Sequence, residues 1–339
     1  MDNPTVISPE RLSTLEPLIR RYAGSTVLNV KGQVSLGDGE GTRAITGLLI
    51  RGFVEGKIEA VGIEHHGEIV GALLWRKLPW DTKVLGKACA RIFLIGGCGL
   101  DRILACWRER AASMGIQYVT VRLPQVGETI ADTSREEPSG GEAGHEELPL
   151  LLADVGFERV ERLMFFKRST AAPAPYHSIT EARKGDRDEI FQIAGSAYSF
   201  DRFHRESFFT KGEADRLHKA WAAESFSGRA DAILVVRDEG KHIAGYCTCT
   251  LPADRAASPG WIDMLAVRDG QRRRGFGESL ILAALRYFRR NGLKEAALST
   301  QETNHSGIGL YGKLGFMCYG IASTYRLVLE THWTPKRDG

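Results

Sequence analysis

The chain has 339 residues, with 45 Lys and Arg against 42 Asp and Glu for a net charge of +3. That length suffices for two domains, and the near-balance of charge excludes a whole-molecule attraction to nucleic acid. The N-terminus carries early acids and no apolar run of signal-peptide length, nothing later approaches a membrane span, and the cysteines lie at irregular spacings. A cytoplasmic protein with no disulfide framework and no membrane partner is therefore expected.

In the first half, Ile58 to Glu64 and Glu68 to Arg76 flank the turn His65-His66-Gly67 and read as a hairpin. Ala90 to Ile95 reads as a strand, and Leu100 to Met114 as a helix with apolar residues at helical spacing. Tyr118 to Leu123 is a further strand, and residues 125–147 form a long, acidic, Gly/Ser-rich loop. Leu148 to Phe166 predicts a helix, the pair Gly156-Phe157 and a closing strand.

The Pro/Ala-rich run Thr170 to Pro175 reads as a linker. Beyond it, Ile179 to Arg187 predicts a strand, Asp188 to Tyr198 a helix, and Ala232 to Arg237 with His242 to Leu251 a second hairpin. Cys247 and Cys249 share one face of that strand and read as small buried residues; no second Cys/His pair sits at zinc-ligand spacing, so no metal is expected.

The next stretch carries the chemistry. Gln271-Arg272-Arg273-Arg274-Gly275-Phe276-Gly277 lies between a strand, Trp261 to Val267, and a strongly helical run, Glu278 to Arg290. Glycine at such a turn lets backbone approach an anion, and the first N–H groups of the helix have no intrahelical partner. The arginines add mobile positive charge where the helix dipole already favours an anion. Arg268 to Lys294 contains eight basic and two acidic side chains, a local charge suited to a polyanionic cofactor. After the helix come a strand (Leu293 to Thr300), Asn304, a helical stretch with Tyr311, the pair Gly315-Phe316 and a strand from Met317 to Leu329.

The spacing Arg272-x-x-Gly275-x-Gly277, with Gln271 before it, resembles the acetyl-CoA pyrophosphate loop of the GNAT superfamily of N-acetyltransferases, and the following elements occur in that family's order. The resemblance implies an α/β fold of two tandem GNAT-like domains with mixed, mostly antiparallel sheets flanked by helices: a degenerate copy over 1–169, a linker over 170–177 and a catalytic domain over 178–331. The first half repeats the pattern loosely, but has only Gly96-Gly97-Cys98-Gly99 in place of the arginine loop and Leu152 or Ala153 in place of Tyr311.

The same resemblance implies acetyl-CoA held by Gln271, Arg272, Arg273, Arg274, Gly275, Phe276 and Gly277, with its pantetheine arm along the backbone of Leu265, Ala266 and Val267. Tyr311 then protonates the departing thiolate, and Asn304 holds the pantetheine or caps its helix. Asp263 on the central strand is the candidate base; His204 and His305 titrate in a useful range, and a water chain would also serve.

On the acceptor side, Ala197-Tyr-Ser-Phe-Asp-Arg-Phe-His-Arg-Glu-Ser-Phe208 with Trp221, and Leu78-Pro79-Trp80-Asp81-Thr82 in the first half, resemble dTDP-fucosamine acetyltransferases. That likeness implies an amino-sugar nucleotide of polysaccharide biosynthesis as substrate, with Arg202, His204 and Arg205 on its pyrophosphate and Phe203 and Trp221 stacking on it. Two other readings stay open: the same transfer to a protein or small cationic amine, and a non-catalytic acyl-CoA-binding module. The sequence leaves a homodimer open.

Overall fold

The computed structural model describes residues 3–23, 29–30, 33–34, 39–125, 147–252, 255 and 258–329. The acidic loop expected over 125–147 lies, from 126 to 146, outside the described residues. The first part of the chain forms β1 (Thr5–Ile7), α1 (Leu12–Tyr22), β2 (Asn29–Val30), β3 (Gln33–Val34), α2 (Gly39–Val54), β4 (Glu59–His65), β5 (Glu68–Lys77) and α3 (Pro79–Leu85). It continues through β6 (Cys89–Gly97), α4 (Leu100–Ser113), β7 (Tyr118–Pro124), α5 (Leu148–Asp154) and β8 (Glu158–Ser169). The rest forms β9 (Ile179–Glu181), α6 (Arg187–Ala194), α7 (Arg202–Arg205), α8 (Lys211–Glu224), β10 (Ala232–Arg237), β11 (Ile243–Thr250), β12 (Gly260–Val267), α9 (Phe276–Arg290), β13 (Glu295–Gln301), α10 (His305–Lys313) and β14 (Met317–Val328). None of the described helices is long and apolar enough to cross a membrane.

Two compact units result. One gathers the described residues of Met1–Leu28, Val34–Val160 and Ala322–Gly339; the other gathers those of Asn29–Gln33 and Glu161–Ile321. The first unit's strands run in the order β1, β4, β5, β6, β7, β14, and the second's in the order β8, β13, β12, β11, β10, β9. Pairing is antiparallel except for one parallel pair in each unit, β6 with β7 and β12 with β13.

The strand that closes each sheet comes from the other half of the chain. Leu163 to Ser169 of β8 pairs with Gln301 to Glu295 of β13, while Ala322 to Val328 of β14 pairs with Pro124 to Tyr118 of β7. Alternation of apolar residues foretells both strands but says nothing of their partners.

In the first unit Trp107 of α4 packs edge-on to Trp75 at 6.1 Å and stacks on Phe157 at 6.0 Å, within a core shared by β4, β5, β6 and β7. The link from β6 to α4 is short and filled: Cys98 N–H donates to Val70 O at 2.9 Å, and a Cβ on Gly97 would lie 2.3 Å from the same oxygen. In the second unit α9 buries Leu280, Ile281, Ala284, Leu285 and Phe288 against the sheet, a helical-period stripe that fixes its orientation. Gly260 opens β12 because the Phe288 ring occupies the space of a Cβ, 2.3 Å away.

Both hairpins form where expected, with His66 (φ 51°) and Gly67 (φ 85°) at the first turn and Lys241 (φ 63°) at the second. The strand expected over Ile179 to Arg187 stops at Glu181. There the Asp186 carboxylate accepts the Arg183 N–H at 2.9 Å, which turns the chain into α6 one residue later. That helix ends at Ala194 before Gly195, four residues short of Tyr198.

Candidate active site

The site grows from two irregularities in β12. Cys247 and Cys249 of β11 pair with Leu265 and Ile262, so two steps on β11 match three on β12, and one extra residue bulges out at Asp263–Met264. The Met264 N–H is caught there by Thr248 Oγ1 at 2.9 Å. On its other edge, β12 pairs with β13 only from Gly260↔Ala296 to Ile262↔Leu298, although β12 runs on to Val267 and β13 to Gln301. The strands splay, and Leu265, Ala266 and Val267 turn a strand edge toward the gap. An open edge of this kind accepts an extended chain as an added strand.

Directly after the splay comes the arginine loop. Gly270 (φ 80°), Arg273 (φ 63°) and Gly275 (φ 78°) all take left-handed backbone, and Gly275 is the N-cap of α9 without any side-chain cap. The first-turn N–H groups are thus left for an anion, and a non-glycine residue held at positive φ, costing about 1–3 kcal/mol, is typical of ligand-binding turns. Arg272, Arg273, Arg274 and Gly275 are exposed and Phe276 is buried.

Several side chains hold the loop's shape. Gln271 donates to Asp238 Oδ2 at 3.1 Å and accepts from Arg274 at 2.6 Å. Arg272 reaches Ala197 O at 3.3 Å, and Arg274 lies 3.8 Å from Glu239. His177, which the sequence places in the linker, braces the turn: its Nε2 lies 2.9 Å from Arg274 O, its ring packs on Phe276 at 4.6 Å, and its backbone N–H donates to Ser279 Oγ at 3.2 Å. No spacing rule singles out this histidine; only its approach in space does.

Tyr311 is buried among Phe166, at 5.8 Å, and Phe316, at 6.1 Å, and burial pushes its phenol up to about 12. Asp263 presents much of its side chain to solvent, yet stands in a recess walled by protein atoms. That desolvation raises its carboxyl above the ordinary carboxylate range against the opposing pull of Arg229 and of hydrogen bonds from Thr250 and Trp261. Asn304 is engaged at both ends of its amide, Oδ1 accepting from Gly307 N–H at 3.1 Å and Nδ2 donating to Thr300 Oγ1 at 2.8 Å. It caps α10. His305 is exposed at the start of the same helix.

The acceptor segment departs from expectation. Arg202 is turned inward to Glu161 at 2.9 Å, with side chains only 10% and 6% exposed, and Phe203 packs on Phe209 and Trp221 at 5.2 and 5.9 Å. His204 lies between Asp201, 2.6 Å from Nδ1, and Asp215, 3.0 Å from Nε2. These three residues therefore build the segment's own interior rather than a surface for a pyrophosphate. Arg205 stays exposed, donating to Thr303 Oγ1 at 2.9 Å, and Trp221 is half-buried. The reason is composition: carboxylates at positions 161, 201 and 215 supply nearer partners than any ligand would.

Residues 188–316, which include the bulged, splayed strand and the uncapped, glycine-started helix, match the model of the acetyltransferase (GNAT) family. The chain carries a GNAT acetyltransferase domain. It is also similar to the spore coat polysaccharide biosynthesis protein SpsD of Bacillus subtilis (strain 168), with 19% identity over 76% of this chain and 83% of that protein. A mycothiol acetyltransferase of Salinispora arenicola (strain CNS-205) is 26% identical over 64% of this chain and 74% of its own length. Among solved structures, a tandem GNAT protein from the clavulanic acid biosynthesis pathway superposes with a TM-score of 0.59 at 15% identity, covering 98% of this chain and 99% of the other. The fold is thus a tandem GNAT fold, and the chain is an N-acetyltransferase enzyme. GNAT family acetyltransferases use acetyl-CoA as co-substrate.

The GNAT features divide unequally between the two units. The first unit repeats the bulge, with Leu74↔Leu94 followed by Trp75↔Ile92, and the short parallel pairing of β6 with β7. It lacks the loop: three residues, Gly97 to Gly99, do not reach around an anion, and Tyr22 lies 2.3 Å from where a Gly96 Cβ would stand.

Proposed function

We propose that the second unit binds acetyl-CoA and acetylates the amine of a nucleotide-linked amino deoxy sugar by direct attack in a ternary complex. The observation that carries the cofactor part is the opened edge of β12 leading straight into the uncapped start of α9. Acetyl-CoA supplies the activated acetyl thioester. The N–H groups of the first turn of α9, with Arg272, Arg273 and Arg274, bind its phosphates, while Gln271, Gly275, Phe276 and Gly277 set the turn. Leu265, Ala266 and Val267 align the extended arm through their backbone.

Direct attack requires one proton taken from the acceptor amine and one returned to the departing sulfur. Asp263, held in the recess by Thr250, takes the first. Tyr311 supplies the second: at neutral pH its phenol is protonated, and the same dry surroundings make a thiolate more basic than in water. Asn304 acts by fixing the start of α10 and so the place of Tyr311.

The sugar-nucleotide acceptor is supported by the likeness to a polysaccharide biosynthesis protein over most of both chains, and by Arg205 and Trp221 at the surface of the acceptor segment. The mycothiol acetyltransferase relative favours a second reading, transfer to another small amine. Acetyl-CoA-dependent release of free thiol separates them, assayed with dTDP- and UDP-linked 3-amino and 4-amino deoxy sugars beside a panel of other amines. Turnover on one of the sugar nucleotides supports the proposal; turnover confined to the other amines moves the acceptor to the second class.

A further inference from the structure

Three lone-pair-bearing atoms converge inside the segment that carries α7 and α8. They belong to Asp201, His204 and His218, all largely buried, and one ligand atom from each lies within 4.8 Å of the others. Proton positions follow from the surroundings. His218 Nδ1 lies 2.9 Å from Ala214 O, a pure acceptor, so in the neutral ring Nδ1 carries the hydrogen and Nε2 the lone pair. That nitrogen faces Asp201 Oδ2 at 3.5 Å. His204 Nε2 donates to Asp215 Oδ1 at 3.0 Å, and Nδ1 faces the same Asp201 oxygen at 2.6 Å. The other Asp201 oxygen is already fixed by the N–H groups of Phe203 and His204, at 2.9 and 3.3 Å.

A proton on His204 Nδ1 satisfies one of these contacts and leaves the His218 nitrogen against a carboxylate oxygen. A metal ion satisfies all three at once. We propose that Asp201, His204 and His218 bind one divalent transition-metal ion, zinc being suited to two imidazoles and a carboxylate, and that the ion pins α7 to α8. Tetrahedral bonds of about 2.0–2.2 Å place ligand atoms about 3.3–3.6 Å apart. The 3.5 Å between His218 Nε2 and Asp201 Oδ2 already matches, and His204 Nδ1, 2.6 Å from the same oxygen, has to draw back slightly on loading.

The outer contacts are those of a metal site. Each imidazole donates its remote N–H to a carboxylate or a carbonyl, as metal-bound histidines do, and Lys211 in turn holds Asp215 at 2.7 Å. Tyr198 stacks on the His218 ring at 4.6 Å, and Trp221 meets it edge-on at 4.9 Å, so the rings have little freedom to leave. This site stands independently of the acetyl-transfer reading.

The test uses the full chain, stripped with a chelator and titrated with Zn²⁺ and, separately, with Co²⁺ followed by its visible absorption. One ion per chain is expected, with the Co²⁺ spectrum of nitrogen and oxygen ligands and a melting temperature that rises on loading. The double variant His204→Gln, His218→Gln loses the uptake. Asp215→Asn, which leaves all three ligands in place, weakens affinity about 10- to 100-fold. Absence of stoichiometric uptake by the wild type, or wild-type affinity in either variant, overturns the proposal.

Discussion

Thr250 Oγ1 donates to Asp263 Oδ2 at 3.0 Å, across the ladder at the bulge that opens β12. The bond orients a carboxylate whose surroundings would otherwise favour its neutral form. Asp263→Asn is expected to lower kcat by about 10²–10⁴-fold, the usual contribution of a general base. The sign of the pH dependence follows from the raised pKa: the working form is ionised, so wild-type kcat/KM falls as pH drops through a value above the ordinary carboxylate range. Arg229→Gln removes an opposing charge and moves that limb to higher pH. A pH–rate profile on the three proteins checks both points.

Tyr311→Phe keeps the ring against Phe166 and Phe316 and removes only the hydroxyl. The expected outcome is kcat lowered at least about 10²-fold with the KM for acetyl-CoA nearly unchanged. A melting temperature close to wild type would assign the loss to chemistry rather than packing.

His177 acts on the loop before α9 through Arg274 O and the Phe276 ring. Loss of one such hydrogen bond, about 0.5–1.5 kcal/mol, predicts a KM for acetyl-CoA raised about two- to tenfold in His177→Ala, with kcat largely retained. Steady-state kinetics with acetyl-CoA as the varied substrate decides it.

Glu161 and Arg202 form a buried pair, so removing one charge takes the ion-pair partner from the other in a desolvated place. Glu161→Gln is expected to cost about 3–5 kcal/mol of unfolding free energy, and Glu161→Leu with Arg202→Met much less than the single change. Urea unfolding of the single and double variants measures the difference.

Asp186 carries a pH signature of stability. Burial raises its carboxyl, but the Arg183 N–H and the Arg237 guanidinium at 2.8 Å outweigh that and leave it below the usual range. A depressed folded pKa means that the contribution is complete above the unfolded value of about 3.9 and is lost as pH falls through the folded one. Asp186→Asn should be less stable by about 1.5–3 kcal/mol at neutral pH, with the gap closing in acid. Thermal melts across that range test it.

The loop before α9 was legible in the sequence because it depends on backbone: glycines at positive φ and a helix start leave a spaced signature, and Gln271 to Gly277 carry it. The interior of the segment around α7 was not. Arg202 and His204 have the composition of anion-binding residues, but their partners at 161 and 215 are distant in sequence, and only the fold brings those carboxylates close. Asn304 stood between two roles on spacing alone, and its hydrogen bonds show the cap. His177 left no signal, since a brace is defined by approach and not by pattern. The helices α1 and α2 precede the family-like part of the first half, where no motif announces them.

The exchange of closing strands bears on how the protein is made. Arg122 of β7 bonds Thr324 of β14 across 202 positions of chain, so the N-terminal unit waits for the last strand before its sheet can close. During synthesis it must leave the ribosome with β7 as a bare edge, a hazard for association between nascent chains. Cutting the gene at the linker would yield two pieces that each keep the other's final strand, and recovery of function would depend on expressing both together.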